Sequence, residues 1–94
     1  MYVVNVKNKD NTSNIQPRYP FESWVDYWQT FNGKLPDRCP RCGMPLTDPV
    51  GAHVMTTRVL DWDTYIIPIC RGCNNPNKKD IFTVDINLLL KDNL

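Results

Sequence analysis

The sequence predicts a small α+β domain stapled by four cysteines, and three observations lead to that fold class. The chain has 94 residues, 41% hydrophobic and 22% charged, which suits one domain with a modest core. A domain this small is expected to need a staple, either a metal or disulfides. The cysteines form two matched pairs, Cys39/Cys42 in "CPRC" and Cys70/Cys73 in "CRGC", with 27 residues between them. One segment places apolar residues at helical spacing, while four others are rich in β-branched and aromatic residues.

In chain order, "MYVVNVK" reads as a short strand. Residues 8–20 are rich in Asn, Ser, Thr and Pro and read as a loop. Phe21, Trp24, Val25, Trp28 and Phe31 then recur at i, i+3, i+4, i+7 and i+10. That is one face of a helix over Phe21–Asn32, started by Pro20 and stopped by Gly33. Its aromatic stripe is expected to be core, since few other large residues are present to bury. "GAHVMTTRVL" and "TYIIPIC" read as the arms of a hairpin turned at "DWD". The second cysteine pair should open a short helix, with Pro76 in its first turn. "IFTVDI" reads as a strand that pairs with the N-terminal one in a small added sheet, and the last residues read as a helical turn.

Two Cys-x-x-Cys turns each offer two thiolates from one tight knuckle, and together they complete a tetrahedral zinc shell. Gly43, directly after Cys42, permits the tight backbone of the first knuckle. The alternative is two disulfides in an oxidising compartment. The N-terminus is too short and too polar after Val6 for a signal peptide, so zinc in a reducing cytoplasm is the expectation. No apolar run approaches the roughly 20 residues of a membrane span. No small-molecule substrate is indicated.

Knuckle, hairpin, knuckle and short helix follow the order of a treble-clef zinc finger. On "CPRC", "GAHV" and "CRGCN", residues 38–80 resemble the His-Asn-His (HNH) nucleases, a ββα-metal superfamily, and within it the phage recombination endonuclease VII branch. His53 matches that family's histidine and Asn74 the asparagine after the last zinc cysteine. The resemblance implies a structural zinc on Cys39, Cys42, Cys70 and Cys73. It also implies His53 as general base, with Asn74 and an acid beside the histidine holding a second metal, Mg²⁺ or Mn²⁺, on a phosphodiester. The chain departs from the pattern at Ala52, where the acid would stand, because a methyl group cannot hold a hard cation. The nearest acids in sequence are Asp48, Asp61 and Asp63. Three roles are open to His53: catalytic base, core histidine, or contact to a ligand without catalysis. Asn74 has a bland role too, holding a turn or capping a helix.

The formal charge is +1, and a tetrathiolate zinc would lower it to about −1, so global charge gives no argument for nucleic acid. Between Lys34 and Lys79, however, seven basic residues face four acids. Arg41, Arg58, Arg71, Lys78 and Lys79 are the candidate phosphate contacts. The expectation is therefore one domain over 1–94: an N-terminal strand and aromatic helix in 1–37, the zinc core in 38–80, and a strand and tail in 81–94. Its function reads as a zinc-binding, catalytically degenerate HNH-like domain of phage or bacterial type that binds DNA, RNA or a protein. The alternatives are an active HNH endonuclease and a zinc-stapled adaptor presenting Trp24, Trp28 or Trp62.

Overall fold

The structure is a computed structural model and describes residues 2–9, 16–75 and 77–92. Five strands form one antiparallel sheet: β1 (Val3–Asn8), β2 (Pro49–Thr56), β3 (Tyr65–Cys70), β4 (Phe82–Asp85) and β5 (Leu90–Lys91), in the order β4-β1-β2-β3-β5. The hairpin expected from the β-branched runs is β2–β3, with Ala52 opposite Ile67 and His53 opposite Ile66. β1 pairs with β4 as expected, but it also pairs with β2, Val6 opposing Thr56. The N-terminal and C-terminal strands thus extend the hairpin's own sheet and do not make a separate one.

Strand alternation sends successive side chains to opposite faces, and each face has its own core. On one face Val4, Val6, Ala52, Val54, Ile67, Ile69 and Val84 pack with Cys39 and Cys73. On the other, Ile66 packs against Trp24, Tyr27 and Trp28 of the single α-helix. The sheet is therefore a partition, with the cysteine knuckles on one side and the helix on the other.

The helix, α1 (Trp24–Asn32), starts later than the sequence suggests. Ser23 is its N-cap, and the Ser23 Oγ accepts from the Asp26 N–H at 3.1 Å. This satisfies one of the amide groups a helix start leaves open. Gly33 ends the helix with φ 88°, in the region that glycine reaches without strain. The buried stripe is Trp24, Tyr27 and Trp28. Phe31, expected in the core, is 59% exposed, while Tyr27 is buried and carries the Phe31 ring edge-on. The helix also grips the C-terminal segment. Tyr27 Oη donates to the Lys91 carbonyl, Trp28 Nε1 to that of Leu88, and Asn32 Nδ2 to that of Asn87. The helical turn expected at the end of the chain is not where the described residues have one: a 3-10 turn, Ile86–Leu88, comes earlier and β5 follows it, and residues 93–94 lie outside the described residues.

The helix expected after the second knuckle is instead a three-residue 3-10 turn, Arg71–Cys73, which contains the knuckle. Asn74 is its capping residue, the Asn74 N–H bonding the Arg71 carbonyl. Pro76 and residues 10–15 of the first loop lie outside the described residues. No helix among the described residues is long and apolar enough to cross a membrane.

Helix and sheet approach closely at Gly51. A Cβ there would lie 2.5 Å from the Trp24 carbonyl carbon and Cβ and 2.7 Å from the Val25 nitrogen, distances that only a backbone shift relieves. Gly51→Ala is expected to lower stability by about 1–3 kcal/mol, or about 5–15 °C in Tm. Urea or thermal unfolding reads this directly, and an unchanged Tm would contradict the packing described.

Candidate metal centre

The four cysteines converge from two distant turns. Their Sγ atoms all lie within 4.8 Å of one another. Cys39 Sγ is 3.9 Å from Cys73 Sγ, and Cys42 Sγ is 3.7 Å from Cys70 Sγ. A disulfide needs about 2.05 Å, so these are free thiols. A tetrahedron with Zn–S bonds of about 2.3 Å has edges of about 3.8 Å, which these two separations match. The four thiols form a cluster that can hold a metal ion, and the donor set suits zinc.

Backbone geometry supports the cluster. The Gly43 N–H bonds the Cys39 carbonyl and the Cys39 N–H bonds that of Met44, closing the first knuckle, with Gly43 at φ 79°. Arg38 Nη1 donates to the Gly43 carbonyl at 3.0 Å. Across the sheet face, Asn8 Nδ2 donates to the Cys73 and Lys78 carbonyls, tying β1 to the second knuckle. The Cys70 N–H points at Cys39 Sγ, 3.3 Å away. Burial alone would push the Cys39 thiol up, but the N–H groups of Cys42, Cys70 and Arg41 outweigh it and hold it at about 7. Cys73 is pushed up to about 12, first by burial and then by the crowding of the other three sulfurs. Four thiolates in this space therefore need a cation to coexist.

His53 faces the other way. It neighbours Ala52 on β2, and Ala52 belongs to the cysteine-side core, so His53 points to the helix side. Its ring meets Trp24 edge-on at 4.6 Å, and the residue is 6% exposed. Its Nε2 is buried without a hydrogen-bond partner, 3.7 Å from Asp92 Oδ2. Burial first of all lowers the His53 pKa. The Asp92 carboxylate works against this shift, and Lys9 adds to it.

Asn74 follows Cys73 at the second knuckle and is exposed, whereas His53 is buried against the helix. The three acids nearest His53 in sequence are engaged elsewhere. Asp48 pairs with Arg71, Asp63 with Lys91, and Asp61 accepts from Thr56, Arg58, Tyr65 and the Asp63 N–H. The acid that does approach His53 is Asp92, 39 positions away, on the short β5 end that no spacing rule connects to β2.

The candidate phosphate contacts do not form one patch. Arg58 stands on the β2–β3 turn, at the far end of the hairpin from the knuckles, paired with Asp61 at 2.9 Å. The Arg41 side chain is only 8% exposed. It pairs with Asp80 and lies over the Phe82 ring, 4.8 Å from its centroid. Arg71 pairs with Asp48 at 2.9 Å. Lys78 and Lys79 are exposed beside the second knuckle.

The lowered His53 pKa fixes the sign of a pH effect. The unfolded chain takes up a proton near pH 6.5 while the folded chain resists it. This contribution to stability is therefore full above about pH 6.5 and is lost as pH falls through that value. The Tm of His53→Asn should fall less between pH 7.5 and 5.5 than that of the unaltered chain. The cysteines titrate in both proteins, so the difference isolates the histidine, and equal slopes would contradict its burial as a neutral ring. Comparison of the chain with protein-family models, with curated proteins and with solved structures finds no match.

Proposed function

We propose that the chain is a zinc-stapled interaction module whose metal is structural and not catalytic. The observation that carries this reading is the closed shell of four converging cysteines. Catalytic zinc keeps a position open for water or substrate, whereas a shell of four thiolates leaves none. Bound there, zinc would supply cross-links and no reactive oxygen. Cys39 and Cys42 would tie the segment after α1 to the end of β3 through Cys70 and Cys73.

The nuclease resemblance enters this reading as one of scaffold. His53 is buried against Trp24 while Asn74 is exposed, and the four cysteines are the one metal-capable group of three or more His, Cys, Asp or Glu side chains among the described residues. One observation favours the rival reading of a metal-dependent endonuclease, namely the Asp92 carboxylate beside His53. Against it, His53 is sealed beneath Trp24, where a phosphodiester has no access. For the partner, the ion pairing of Arg41, Arg58 and Arg71 inside the molecule favours protein over nucleic acid.

Incubating the zinc-loaded protein with supercoiled plasmid and Mg²⁺ or Mn²⁺ should leave the plasmid intact, and a gel shift at low salt should show no DNA or RNA complex. Nicking that disappears in His53→Ala would replace this reading with the endonuclease. A salt-sensitive shift would restore nucleic acid as the partner.

A further inference from the structure

The four sulfurs of the cluster are not equivalent. Cys39 and Cys73 are core residues, 2% and 3% exposed, packed with Ala52, Val54 and Ile67. Cys42 is exposed and Cys70 is half-buried. The cluster thus has a sealed inner pair, Cys39 and Cys73, with Sγ atoms 3.9 Å apart. It also has an open outer pair, Cys42 and Cys70, 3.7 Å apart. Each pair takes one sulfur from each knuckle.

The surroundings of the outer pair are open as well. Gly43 stands beside Cys42, and Gly72 lies two residues after Cys70. At both, among the described residues, no atom beyond the chain neighbours lies within 4 Å of where a Cβ would stand. Met44 on the same turn is 63% exposed. A small reagent in water therefore reaches Cys42 first. The thiolate is the nucleophilic form of cysteine, and a bound metal would hold all four thiols deprotonated. Sulfur oxidation follows thiolate character and exposure, and the two coincide at Cys42.

We propose that Cys42 is a site of reversible oxidation by hydroperoxides, resolved by Cys70 as a bond between the two knuckles, and that this bond opens the metal shell. The proposal rests on the reading of the cluster as a zinc staple. The Cys42 thiolate attacks one peroxide oxygen, the O–O bond breaks, and hydroxide leaves, so the sulfur becomes a sulfenic acid. The Cys70 thiolate then displaces a second hydroxide from that sulfur and forms the S–S bond. Two thiolates lose two electrons in all, and one hydrogen peroxide is reduced to two hydroxide ions. The outer sulfurs need to close by only about 1.7 Å to reach disulfide length. Cys39 and Cys73 are then left as two ligands where a structural shell takes four, and the ion is released. The new bond joins the same two segments that the metal joined, so the oxidised chain stays tethered for return.

The test treats the full, zinc-loaded chain with hydrogen peroxide. A chromogenic chelator follows zinc release, and mass spectrometry of peptides locates the disulfide after the remaining thiols are alkylated. The expected result is zinc release in step with a Cys42–Cys70 disulfide, with zinc bound again after dithiothreitol and zinc are added. Before any oxidant, iodoacetamide should label Cys42 roughly tenfold faster than Cys39 or Cys73. Met44→Leu should release zinc at the unaltered rate, which separates the thiol chemistry from oxidation of the neighbouring thioether. A bond within one knuckle, a bond between Cys39 and Cys73, a disulfide between two chains, or zinc retained while Met44 is oxidised would overturn the proposal and leave the staple standing. A reduced chain that holds no zinc before peroxide is added would overturn the staple reading, and the proposal with it.

Discussion

Four sulfurs carried by two turns 27 residues apart lie within 4.8 Å of one another, and the rest of the fold is arranged around that convergence. The second knuckle begins at Cys70, the last residue of β3, so closing the cluster fixes where the hairpin ends. Cys39 and Cys73 are also core residues, packed with Ala52, Val54 and Ile67. The apolar contacts of that face and the convergence of the four sulfurs therefore share residues. Without a cation, the Cys73 thiol held up at about 12 shows how poorly this space accepts negative charge. A chain of 94 residues has little other burial to offset such crowding.

The helix side works by different means. No metal-capable cluster lies there among the described residues. Three side chains of α1 hold the backbone of the C-terminal segment, and Leu88 touches both cores. The close fit at Gly51 sets the depth at which α1 sits. His53 lies in this second core, which explains its lowered pKa and its distance from nuclease chemistry. Its one nearby acid, Asp92, arrives on the same segment that α1 clamps.

The features legible in the sequence were those that depend on local pattern. The two knuckles, the β2–β3 arms and the Gly33 stop follow from spacing and residue type. The Ser23–Asp26 spacing carries a capping signal that locates the helix start better than Pro20 does. Relations set by the sheet were not legible. Which face His53 takes depends on strand phase relative to the knuckles, and Ala52 and His53 look equally placed when read as neighbours. Phe31 fits the helical stripe as well as Tyr27 does, and only the tertiary packing decides that Tyr27 is the buried one. The Arg41–Asp80, Arg71–Asp48 and His53–Asp92 pairs span 23 to 39 residues, beyond any local rule, so the basic residues looked freer than they are.

The central claim is that metal held by Cys39, Cys42, Cys70 and Cys73 is a condition of folding. The direct measurement is metal content alongside far-ultraviolet circular dichroism and thermal unfolding, before and after complete chelation under reducing conditions. The account predicts one zinc per chain, and after its removal loss of the sheet signal and of the cooperative transition, both restored by adding zinc back. A metal-free chain with an unchanged spectrum and Tm would contradict it.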